Sequence, residues 1–274
     1  MRIKPLILVA LSLCTPVMIT GCPDSHGIVD LLPAVSGFPA SDPSDPCDPQ
    51  VQALKSDYSF FGDPLVEDAM ANAANRLFRN LLSSTRIRYG TKKDTKEITL
   101  LDFYEELDKS SLSGSTKGYL SAVGQESTGD YGRISSRVDR DATRDSAKLA
   151  AVSRKISALE SCRQRQVNGI MKRRGRGKIS RMEAVRELDA VQSIVRRDNR
   201  LIERIVGRSG ERVEVYAEAD RYVKTRSLAS RHRRSSRPSS AVRKVERNQT
   251  QVKRQQTKIG KVDQVIEKKK QVLA

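Results

Sequence analysis

The chain has 274 residues, 51 Lys or Arg against 33 Asp or Glu, a formal charge of +18 and a mean hydropathy of −0.54. Twelve aromatics with no Trp leave material for only a modest apolar core, and two histidines leave little for His-based catalysis or metal binding. The charge is uneven: residues 23–70 hold nine acids and one Lys, and residues 224–274 hold 16 Lys or Arg and three acids. Such polarity speaks to partners rather than to fold.

The first 22 residues have their own pattern. Arg2 and Lys4 supply a short positive start, Leu6 to Leu13 is apolar apart from Ser12, and Pro16 breaks the run. That is the layout of an export signal, too short for a membrane-spanning helix. Ile19-Thr20-Gly21-Cys22 resembles the lipobox of bacterial lipoproteins: an apolar residue, two small ones, then the cysteine. The resemblance implies that residues 1–21 are a cleaved signal peptide and that Cys22 carries the acyl chains (palmitate-type lipidation). It further implies a chain anchored by lipid and facing the periplasm. Pro23 stands where Asp would signal inner-membrane retention, so the outer membrane is favoured. The residues alone also admit a cleaved signal with a disulfide-bonded Cys22, or an uncleaved anchor.

Residues 22–50 contain "SDPSDPCDP" and read as an extended, solvated, acidic tether, because repeated Asp-Pro removes donors and disfavours helix. Residues 51–131 hold nine of the twelve aromatics and are expected to form a small helical subdomain. Asp63-Pro64 is a helix start, with Val66, Met70, Ala73, Leu77 and Leu81 on one face. "TLLDFYEEL" predicts a second helix with Thr99 as cap and Asp102 in its first turn. The Ser/Gly-rich stretch that follows, through Tyr131, reads as loop.

Residues 139–228 predict an antiparallel helical hairpin. Val152, Ile156, Leu159, Gln166 and Ile170 mark the first seam, and Val185, Leu188, Val191, Val195, Ile202 and Ile205 the second. "KRRGRGK" is the turn, and Ser180 with Glu183 has the spacing of a capping box. Arg163, Gln166 and Asp198 are polar seam positions that weaken packing and fix register. Residues 229–274 are expected to be a basic linker and helix with a sparse seam (Val245, Gln249, Val252, Gln256, Ile259, Ile266), ordering only on a partner. Removing 231–274 should then leave the hairpin helical. The predicted class is therefore all-α: a hairpin or coiled coil with a small N-terminal subdomain and a disordered tether and tail.

Catalytic chemistry finds no foothold. His26 and His232 lack companions at ligand spacing, no Ser precedes a Lys by three positions, and Gly175-Arg176-Gly177-Lys178 lacks the rest of a phosphate loop. The reading is a binding protein without cofactor or metal: a lipid-anchored envelope structural or adaptor lipoprotein. The alternative is an accessory lipoprotein of a secretion, conjugation or transport complex. Candidate contacts with an anionic surface or acidic protein are Arg231, Arg233, Arg234, Arg237, Arg243, Lys244, Lys268, Lys269 and Lys270. A coiled-coil seam also allows a homo-oligomer. Export and the lack of aromatics after residue 224 argue against nucleic acid. After loss of Cys14 and lipidation of Cys22, Cys47 and Cys162 remain. They can form a disulfide in an oxidising compartment, or Cys162 is simply a small buried residue beside Leu159.

Overall fold

The computed structural model describes residues 44–62, 65, 86–91, 94–126, 131–227 and 237–273. The elements are α1 (Asp48–Gly62), β1 (Arg86–Thr91), β2 (Asp94–Thr99), α2 (Leu100–Asp108), α3 (Gly114–Glu126), α4 (Tyr131–Gly175), α5 (Arg181–Ser227) and α6 (Ser240–Leu273). The fold is all-α apart from one antiparallel two-stranded hairpin among the described residues, in register from Arg86 opposite Thr99 to Thr91 opposite Asp94. No strand is predicted from the sequence there. The Cys22 lipobox and the helix expected after Asp63-Pro64 lie outside the described residues.

The two long arms form the expected hairpin. α4 has 45 residues and α5 has 47, about 70 Å each at 1.5 Å per residue. Val152, Ile156, Leu159 and Ile170 of α4 are buried, as are Leu188, Val191, Val195, Ile202 and Ile205 of α5. The expected separate tail is corrected: α6 is the third helix of a bundle. Its Val242, Val245, Gln249, Val252, Ile259, Val262 and Ile266 are all buried against α4 and α5. At one end Val262 and Ile266 close a core with Val167, Ile170, Ala184 and Leu188. The sparse seam had a partner inside the chain. Residues Ser41–Ala274 form one compact unit, so the boundaries expected at 131 and 229 separate no independent bodies.

Two further expectations are corrected. The end of the supposed tether is fastened down: α1 begins at Asp48, with Pro49 in its first turn, and buries Leu54, Tyr58 and Phe61. The Ser/Gly-rich loop is instead α3. Its first turn is held by a carboxylate from another helix, since Ser113 N–H (3.2 Å), Ser113 Oγ–H (2.8 Å) and Thr116 Oγ1–H (2.7 Å) all donate to Glu218 Oε2. α3 then buries Tyr119, Leu120, Ala122 and Val123. Gly124 lets the Phe103 ring of α2 approach to where a Cβ would lie 2.6 Å from it.

α4 and α5 meet at the tip of the bundle; α4 begins and α5 ends at its base. At the base, polar groups face inward. Arg212 Nε donates to Asp145 Oδ2 at 2.8 Å, Tyr216 donates to the same oxygen at 2.8 Å, and Tyr119 donates to Asp141 at 2.9 Å. Burial, with Asp145 or Asp141 beside them, pushes the Tyr216 and Tyr119 hydroxyls well above their ordinary pKa. Both therefore stay neutral donors. Among the described residues, no helix is long and apolar enough to cross a membrane.

Candidate anionic-surface site at the tip of the bundle

The tip is built by two helix ends and a glycine turn. α4 stops because Gly177 adopts φ +69°, where a side chain is disfavoured. Lys178 N–H then donates to Arg173 C=O (2.9 Å) and Gly177 N–H to Arg174 C=O (3.0 Å), the Schellman pattern. α5 starts with the expected capping box: Ser180 N–H donates to Glu183 Oε2 at 2.7 Å, and Glu183 N–H to Ser180 Oγ at 3.1 Å. The Ser180 N–H, and then the Ser180 hydroxyl, hold the Glu183 carboxyl below its usual range.

This geometry fans out Lys172, Arg173, Arg176, Lys178 and Arg181, all exposed, with Arg174 half-buried. Lys172, Arg173 and Arg174 sit on the last turn of α4, where the helix dipole favours positive charge. Arg173 pairs with Glu187. α6 runs alongside α4 and brings Lys268, Lys269 and Lys270 to the same end. With Arg186, ten Lys or Arg thus converge there, against Glu183, Glu187, Asp189 and Glu267.

The candidate residues from the tail are therefore not one surface. Lys268 and Lys269 join the tip. Lys270 is engaged in holding α6 to α5, with Nζ 2.8 Å from Asp189 and 3.2 Å from Glu267, and those partners raise its pKa. Arg237, Arg243 and Lys244 lie at the start of α6, about 40 Å away along the helix. Arg231, Arg233 and Arg234 lie outside the described residues. The "KRRGRGK" cations, read only as a turn, are the main part of the site, and their charge density was the signal that could have found them.

Just below the tip, the N-terminal segment is locked to the bundle. Cys47 and Cys162 form a disulfide with Cα atoms 6.0 Å apart. Beside it Arg163, fully buried, forks onto both oxygens of Asp45 (2.7 Å each) and donates through Nε to Asp198 at 2.8 Å. Gln166 Oε1 accepts from the same guanidinium at 3.0 Å. The three polar seam positions thus form one node, completed by Asp45. Burial raises the pKa of Asp45, but the Arg163 hydrogen bonds and the Cys47 N–H outweigh it and hold the carboxyl low. Burial wins at Asp198, whose pKa is raised even with Arg163 beside it. Above the node, Ser44, Gln166, Arg173, Arg176, Lys178 and Glu187 help to line an open groove of about 790 Å³.

No family model matches the chain, and neither a curated protein nor a solved structure is similar to it. Among the described residues, no group of three His, Cys, Asp or Glu is placed to hold a metal ion.

Proposed function

We propose that this chain is a lipid-anchored structural or adaptor protein of the bacterial envelope, working by binding rather than catalysis. Cys22 would hold it to the periplasmic face of a membrane, with the outer membrane favoured, and the tip would contact an anionic partner. The observation that carries the reading is the convergence of Lys172, Arg173, Arg176, Lys178, Arg181 and Lys268 on one end of a long, braced bundle. Exposed cations grouped in this way attract polyanions over roughly a Debye length, about 8 Å at physiological salt. The alternative of a hairpin docking on another protein's coiled coil is less well supported, because α6 already fills the hairpin's seam.

The test is retention of the full chain, in neutral detergent, on immobilised peptidoglycan and immobilised anionic lipid across a salt series. Release as salt rises is expected, together with weak retention when Lys172, Arg173, Arg176, Lys178 and Arg181 are replaced by Gln. Salt-independent retention, or an undiminished Gln variant, would defeat the reading.

A further inference from the structure

Resting on that reading, we infer that the anionic partner is a phospholipid bilayer surface, and that it is the same membrane to which the N-terminus is anchored. Two observations point there. The first is that the tip is amphipathic, not merely basic. Met182 is 65% exposed and Val272 is 82% exposed, two of the few large apolar side chains left open to solvent. Met171, Ile179 and Leu273 are only partly buried against the core at this end. Lys270 pairs with Asp189, seven residues past Met182, which places the end of α6 within about 10 Å of Met182 along the bundle. Apolar side chains among Lys and Arg suit the headgroup boundary, where cations meet phosphates and apolar groups leave water. The carboxylates of a glycan–peptide mesh would satisfy the cations and leave Met182 and Val272 in water.

The second observation is where the described chain begins. Ser44 lines the same groove as Arg173, Arg176 and Lys178, and Asp45 is clamped by Arg163, about three turns below the tip. From there α1 runs away from the tip, with Ala53 C=O accepting from Lys155 and the Phe60 ring beneath Arg144 and Arg212. Ser44 and Asp45 therefore meet the bundle towards its basic, amphipathic end.

The experiment places the photo-crosslinker p-benzoylphenylalanine at Met182, at Val272 or, at the far end, at Arg243, in the full chain reconstituted into vesicles. The vesicles are phosphatidylcholine alone or with added phosphatidylglycerol. Lipid adducts at 182 and 272 that exceed those at 243 and require phosphatidylglycerol are expected. Each tip cation removed should lower the yield, by up to roughly fivefold per Lys or Arg. Equal adducts at 182 and 243, or adducts indifferent to phosphatidylglycerol, overturn the inference. So does capture of glycan or protein instead of lipid at 182 in cells. In these cases salt-sensitive retention on polyanions still stands if the proposed function is right, and vanishes if that reading is wrong too.

Discussion

The base and the tip of the bundle handle charge in opposite ways. At the base Asp145, Arg212, Tyr216 and Tyr119 turn inward and are buried, and α1 and α3 pack against both arms there, with α2 on α3. At the tip nearly every cation faces solvent, and apolar side chains are left uncovered beside them. Buried polar groups must be paired or they destabilise, so the base is specified by the fold itself. Exposed cations contribute little to folding, so their concentration at the tip calls for a reason outside the fold.

The sharpest way to break this comparison is to remove α6. Truncation before Ser240 exposes Val167, Ile170, Leu188 and Val195 and discards seven buried residues. Each buried aliphatic is worth about 1.5–3 kcal/mol, against a total stability of roughly 5–15 kcal/mol. Cooperative urea unfolding followed by circular dichroism should therefore be lost; a truncated hairpin that unfolds like the parent would return α6 to the role of a tail.

Next in size are the buried ion networks. Arg163→Ala strands Asp45 and Asp198 and should cost about 3–5 kcal/mol; Arg212→Ala leaves Asp145 with Tyr216 and a longer pair to Arg144 and should cost less. Arg176→Gln and Lys178→Gln should stay within about 0.5 kcal/mol in the same assay. Tip variants as damaging as Arg163→Ala would erase the distinction between the two ends.

The disulfide closes a loop with a sequence separation of 115. Paired Cys47→Ser and Cys162→Ser substitutions should lower stability by roughly 2–4 kcal/mol. Reductant should shift the parent's unfolding midpoint to match and leave the variant's unchanged.

The smallest effect belongs to Glu218. Glu218→Gln weakens the cap on α3 by about 1 kcal/mol at neutral pH. The Thr116 and Ser113 hydroxyls hold this carboxyl below its ordinary value of 4.5, so its contribution is present above pH 4.5 and fades as pH falls through the depressed value. Parent and variant should converge in acid; a gap that widens there would mean the carboxylate is not the cap.

How legible this was depended on whether the cause lay nearby in the chain. The hairpin, its turn, the Ser180–Glu183 box and α2 with Asp102 in its first turn follow from local spacing, and the structure has them. The seam of α6 was legible too, but a seam does not name its partner, which here is the hairpin of the same chain. α3 was hidden because Ser and Gly favour loops locally while its cap comes from Glu218, more than 100 residues on. β1 was hidden in a short alternation, Arg86-Ile87-Arg88-Tyr89, overshadowed by its helical surroundings. The tip was hidden because its cations come from segments some 90 residues apart, and only packing brings the end of α6 to the start of α5, where Lys270 meets Asp189.

The position of Cys47 has a mechanical consequence. A pull on the chain from its N-terminal side reaches Cys47 and passes through the sulfur bridge into Cys162, in the middle of α4. The residues between them, including α1, the strand pair, α2 and α3, hang from that junction as a side loop and bear no tension. Load enters the longest elements of the molecule through a covalent link, and the smaller helices at the base are spared it.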